Sequence, residues 1–257
     1  MLISMDQYHL TVYIWLSIAI AVFITLIFVR APYGRHQRPG WGPTIPARLG
    51  WILMEAPCVI VMTVFFVVFA ANWWETDIVA ITFFVIWISH YIHRGFVWPA
   101  RAKITGKLMP LSIIATGILF NGVNAWLNAE WIYELNHPYP IEWLYSWQFI
   151  LGVSLFITGM IINIKSDNIL FKLRQNEGDG YAVPQGGLFR KVSSPNYLGE
   201  IIEWIGWAIA TWSLAGLTFA IWTIANLAPR ARANHKWYHE EFDDYPKERK
   251  VLIPYIW

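Results

Sequence analysis

The chain is poor in charge and in cysteine. Asp, Glu, Lys and Arg make up 14% of its 257 residues, against about a quarter in soluble domains. Cys58 is its single cysteine, which excludes an internal disulfide and a multi-cysteine metal site. Neither GxGxxG nor GxxxxGK(S/T) occurs, so a nucleotide, if bound, sits outside the Rossmann and P-loop frameworks. Internal repeats, low-complexity tracts and long linkers are lacking too. A net charge of +2 excludes little by itself; where the charge lies says more.

Apolar sequence is abundant. The chain is 56% hydrophobic and 17% aromatic, with 17 Trp, and its mean hydropathy is +0.41. These values indicate a polytopic helical membrane protein, with aromatic rings at the interfaces or lining an apolar pocket. About 20 apolar residues cross a bilayer as helix. Candidate spans are Leu10–Val29, Leu49–Ala71, Ile78–Val97, Pro110–Leu127, Trp143–Ile164 and a long stretch from Tyr197 to Ala228. The first lacks a basic flank and is long enough to span, so it reads as a helix and not as a cleavable signal.

Charge decides how to count the last stretch, which is one tilted helix or two broken near Trp212–Gly216. All 19 Lys and Arg fall in segments 30–48, 94–107, 165–191 and the tail from Arg230. The N-terminus, the loop at 72–77 and the segment Asn128–Glu142 hold none, only acids such as Asp6, Glu75 and Glu130. Cytoplasmic loops collect Lys and Arg, and the tail joins that side only with an odd number of spans. The expectation is an all-α fold of seven transmembrane helices in a single membrane domain over 1–257, N-terminus outside and C-terminus cytoplasmic.

Three acids lie inside these spans: Glu55, Glu200 and Glu203. An ionisable group at membrane depth marks a functional site by default; the alternative is a structural hydrogen bond between helices or a wet position near the interface. The third span ends "WISHYIHRGF", crowding His90, Tyr91, His93 and Arg94 at its cytoplasmic end. A metal site through both histidines, an anion clamp from His93 and Arg94 with Tyr91 as proton donor, and simple interface anchoring all remain open. Asn163, Asp167 and Arg174 share a helix face whose amide, acid and base suit a ligand with hydroxyls and phosphates; anionic headgroups account for the basic residues equally well. "SSPN" (193–196) before an apolar run reads as a helix start.

Several stretches together resemble the steroid 5α-reductase family: "PARLGWILMEAP", "SHYIHRGFV", "GMIINIKSDNIL", "YAVPQGGLF", and, most strongly, "NYLGEIIEWIGWAIATWSLAGLTFAIW" with "KWYHEEFDDYPKERKVLIPYIW". They occur in the family's order from about Tyr33 onward. The resemblance implies a seven-helix membrane enzyme that uses NADPH to reduce the Δ4 double bond of 3-oxo-Δ4 steroids. It places the catalytic pair at Glu55 and Tyr91. It places cofactor contacts at Arg35, Arg94, Asn163, Asp167, Arg174, Tyr181, Asn196, Glu200, Arg230, His235 and Tyr238, most of them in the part from 110 to 257. Trp204, Phe219 and Trp222 match apolar positions of the steroid pocket. Where mammalian members commonly carry Gln before the catalytic Glu, this chain has Met54, a substrate-side position without the amide. Asn234 stands where some relatives have His.

The expected partners are thus a 3-oxo-Δ4 steroid, NADPH and membrane lipid, with no nucleic acid and no metal, on a monomer. Its membrane is the endoplasmic reticulum in a eukaryote and the inner membrane in a bacterium. The alternatives are a related reductase of an enoyl thioester, a sterol or a polyprenol, and an isoprenylcysteine-type methyltransferase.

Overall fold

A computed structural model describes residues 3–29, 40–70, 77–136, 138–176 and 181–257. Among them the backbone is mostly helical. In order come α1 (Met5–Phe28), α2 (Ala47–Ala70), α3 (Ile78–Ile92), α4 (Trp98–Arg101), α5 (Leu111–Glu130), α6 (Trp147–Asn176), α7 (Pro195–Thr211) and α8 (Leu214–Glu241). A π turn, His93–Val97, joins α3 to α4, and a second, Trp131–Leu135, continues α5. Two short strands, β1 (Thr44–Pro46) and β2 (Leu108–Pro110), pair antiparallel with Ile45 opposite Met109.

Five stretches are long and apolar enough to cross a membrane: Met5–Phe28, Ala47–Val68, Ile78–Arg101, Leu111–Leu135 and Trp147–Gln175. Large apolar side chains stand outward along them, Ile14, Ile24 and Phe28 on α1 and Val64, Val67 and Val68 on α2 all being more than half exposed. Apolar surface on this scale is costly in water and neutral in lipid.

The boundaries depart from the expected spans where polarity was taken for a break in the backbone. α6 starts at Trp147 and not at Trp143, because Ser146 caps it, its Oγ accepting the Phe149 N–H at 3.2 Å. It then runs on past Ile164 to Asn176. The sequence "NIKSDNILFKLR" is polar but holds no Gly or Pro, so the helix has no reason to stop there. α5 likewise continues past Leu127, and Glu130, expected in a loop, is fully buried on it. The long stretch from 197 breaks where "WSLAG" suggested: Trp212 adopts a left-handed conformation (φ 47°, ψ 41°), and Ser213 Oγ accepts the Gly216 N–H to cap α8.

The chain divides into two compact units, Met1–Tyr13 with Pro32–Ile150, and Ile14–Ala31 with Leu151–Trp257. In the first, α2 packs on α3 and α5 around Cys58, Met62, Phe83 and Trp87. Trp87 Nε1 donates to the Cys58 carbonyl at 3.0 Å, tying α3 to α2.

In the second unit, α6 meets α7 through glycine. Gly152 and Gly159 of α6 face Gly206 and Gly199 of α7. A Cβ on any of the four would lie within 3.0 Å of the partner helix's backbone. Two helices approach this closely only where both lack side chains, a recurrent device in membranes. The last residues tie down the turn before α7. Buried Arg249 donates through Nη1 to the Pro184 carbonyl and through Nη2 to Gln185 Oε1, both at 2.9 Å, and Val192 bridges to Lys250.

Candidate active site

In the first unit, polar groups gather at the middle of α2. Glu55 is 8% exposed, two turns into a mostly apolar helix on which it is the one acid. Its Oε2 accepts a hydrogen bond from Asn121 Nδ2 on α5 at 3.2 Å. The same nitrogen donates to the Met54 carbonyl at 2.6 Å. Cys58, three residues further along α2 and so on the same face, is fully buried and hydrogen-bonded to the Tyr91 side chain. Tyr91, 2% exposed on α3, packs its ring against Trp87 (5.0 Å) and edge-on to His90 (4.9 Å). Carboxyl, thiol and phenol thus form one connected group within apolar walls.

The π turn after α3 is packed against this group. Gly95 lies so close that an added Cβ would sit 3.3 Å from the Glu55 Cβ. Arg94 lies over the rings of Trp51 (4.8 Å) and Trp98 (5.1 Å), and Trp51 Nε1 donates to the Arg94 carbonyl at 3.1 Å. A guanidinium held flat by two indoles keeps its charge and gives up rotamer freedom. Met54 is half-buried and lies across Gly117 of α5, where an added Cβ would have to displace its side chain.

In the second unit, a buried polar face spans α6 and α7. Asn163 Nδ2 donates to the Asn196 carbonyl (3.1 Å) and to Glu200 Oε2 (3.4 Å), and Asn196 Nδ2 donates to Asp167 Oδ1 (3.1 Å). Asn163 and Asp167 are buried; Asn196, Glu200 and Arg174 are half-buried. Pro195 opens α7 at its first position, as "SSPN" suggested, fixing φ where no N–H is needed. Amide and carboxylate groups of this kind suit a ligand that presents a carboxamide and hydroxyls.

Around α8 lie the other polar positions. Arg230 is stacked over Tyr197 at 5.2 Å. Tyr181, at the surface, meets Trp237 edge-on. His235 Nδ1 is 2.6 Å from Ser193 Oγ, which also bonds the Tyr245 hydroxyl at 2.7 Å. Tyr238 is buried and stacked on Tyr245. Burial holds His235 below the ordinary histidine value, with His239 and Lys250 adding repulsion. Burial raises Tyr245 above the usual tyrosine range, against the bonds from Ser193 and Arg249. The apolar positions are all in the interior of this unit: Trp204 against Phe219 at 4.1 Å, and Trp222 with its ring 4.8 Å from Trp15 and its Nε1 bonded to the Trp15 carbonyl.

Arg35 lies outside the described residues. The remaining sequence-based positions fall into two groups: Met54, Glu55, Tyr91 and Arg94 in the first unit, the others in the second. Sequence reasoning missed Asn121, Cys58 and Ser193. Asn121 was within reach, because Asn121, Asn124 and Asn128 lie at i, i+3 and i+7 in an apolar span and all three are buried. Attention to ionisable groups alone passed over that amide stripe. In the sequence Cys58 stood out only as the single cysteine and Ser193 only as part of a helix start.

Five apolar helices, a buried carboxyl–thiol–phenol group and a polar amide–carboxylate face define the class, a helical membrane protein built for chemistry in an apolar setting. Residues 107–257 match the family described as 3-oxo-5-alpha-steroid 4-dehydrogenase. The chain is 42% identical over 254 residues to steroid 5-alpha-reductase DET2 of Gossypium hirsutum, covering 96% of this chain and 95% of that one. The same protein of Arabidopsis thaliana is 40% identical over 91% and 90% of the two chains. The 3-oxo-5-alpha-steroid 4-dehydrogenase 1 of Bos taurus is 36% identical over 95% of each. The chain therefore belongs to the 3-oxo-5-alpha-steroid 4-dehydrogenase family, a family of oxidoreductases.

Proposed function

We propose that the protein reduces the Δ4 double bond of 3-oxo-Δ4 steroids to 5α-steroids, with NADPH as reductant. The observation that carries this reading is the buried group of Glu55, Cys58 and Tyr91, held from α5 by Asn121. NADPH, when bound, supplies a hydride to C5 of the steroid. Negative charge then develops on the 3-oxo oxygen until a proton from solvent completes C4, and the chain's task is to meet that charge with donors already in place. Glu55 in its protonated form and the Tyr91 hydroxyl are those donors. In a water-poor setting, one such donor contributes about 3–4 kcal/mol to the transition state. Asn121, donating to Oε2, reserves Oε1 for the acid's own proton.

Asn163, Asn196, Asp167 and Glu200 hold the carboxamide and ribose hydroxyls of the cofactor. Arg35, Arg94, Arg174 and Arg230 meet its diphosphate and 2′-phosphate, charges that arginine matches bidentately; Tyr181, His235 and Tyr238 complete the cofactor contacts. Met54, Trp204, Phe219 and Trp222 offer apolar surface to the steroid rings. Seven membrane crossings, with the N-terminus outside and the C-terminus in the cytosol, are supported by the placement of every Lys and Arg and by the break between α7 and α8.

The test is turnover by purified protein in detergent with NADPH and a 3-oxo-Δ4 steroid, followed as loss of enone absorbance and a product two hydrogens heavier. Enoyl thioester, sterol and polyprenol substrates serve as competitors. No turnover of the steroid, or undiminished turnover in Glu55→Gln and Tyr91→Phe, overturns the reading.

A further inference from the structure

Asn121 touches three features of the helix that carries Glu55. Its side-chain amide bonds the Met54 carbonyl and Glu55 Oε2, and its backbone carbonyl lies 3.5 Å from the Cys58 thiol, which is itself bonded to Tyr91. Pro57 sits inside this turn of α2 and has no N–H for the Leu53 carbonyl, so the helix is weakest where it presents the acid. A buried amide that donates to both backbone and carboxyl on a neighbouring helix is costly to order unless it fixes something.

We infer that Asn121 is the positioning residue of the site: it fixes the Glu55 carboxyl in one rotamer and settles which oxygen carries the proton. It makes no contact of its own with the steroid and acts through Glu55. The inference rests on Glu55 being the acid proposed above. Substitution of Asn121 therefore lowers kcat, by about 10- to 100-fold for a displaced catalytic group, and leaves the KM for NADPH unchanged.

The experiment compares wild type, Asn121→Leu, Asn121→Asp and Glu55→Gln as full chains in detergent, with NADPH and a 3-oxo-Δ4 steroid. Asn121→Asp keeps the size of asparagine and carries the test should the leucine variant not fold. The expected result is a reduced kcat with an unchanged KM for NADPH in both variants, with Glu55→Gln inactive. Wild-type kcat in both, or a reduced kcat accompanied by a raised KM for NADPH, overturns the positioning role. Wild-type turnover in Glu55→Gln overturns the acid itself, a separate outcome.

Discussion

Asn163 is the residue on which the polar face of the second unit turns. Its one amide nitrogen serves both the Asn196 carbonyl and Glu200, so Asn163→Leu removes both bonds at once. A typical hydrogen bond contributes about 0.5–1.5 kcal/mol. The expected outcome is a lower melting temperature and at least a tenfold weaker NADPH affinity, read by cofactor titration, with turnover at saturating cofactor less affected. His235 makes a different prediction. Its folded value lies below the unfolded one, so the unfolded chain binds more protons in the window beneath the ordinary histidine value of about 6.5. The stability it contributes is present above that value and is lost as pH falls through the window. Melting temperature should drop between pH 7.5 and 5.5, and His235→Gln should flatten that part of the slope. Ser193 enters this prediction as the partner that keeps Nδ1 occupied.

Among the elements, the contact between α6 and α7 is the least forgiving. Gly159→Ala places a methyl against the backbone of Gly199 and Glu203, and overpacking of this kind costs about 1–3 kcal/mol. Gly122→Ala is the matched control, because its Cβ would meet only Pro57 at an ordinary 3.9 Å. The first substitution should lower the melting temperature in detergent and weaken NADPH binding, and the second should do neither. The elements also show what could be read in advance. Trp212–Gly216 gave away the end of α7 because Ser213 and Gly216 are a cap in sequence as in space. The length of α6 was hidden, because a helix that leaves an apolar layer changes its side chains and not its backbone. Asn121 escaped for a related reason: an amide inside an apolar run reads as tolerated polarity until its partner on another helix is known. Glu55, by contrast, stood out in the sequence as an acid within an apolar span, and the structure buries it.

For the whole molecule, orientation is the testable property. Cys58 is fully buried and should not react with a membrane-impermeant maleimide, so the natural chain is already a background for single-cysteine mapping. Lys103→Cys and Glu142→Cys, both at exposed positions, should label from opposite faces of sealed vesicles, Lys103→Cys from the cytoplasmic one. Labelling from a common face would contradict the seven-crossing arrangement. The glycine contact of α6 and α7 bears on how such a protein can change over generations. Four positions there are filled by geometry, since each admits nothing larger than hydrogen. Inherited variation in the second unit is thus barred from the helix pair that sets Asn163 against Asn196 and Glu200. α2 and α5 differ, because the place opposite Gly117 is held by the unbranched, pliable side chain of Met54. A lineage altering this protein would be expected to rewrite that side first, and to leave the α6–α7 contact as it was.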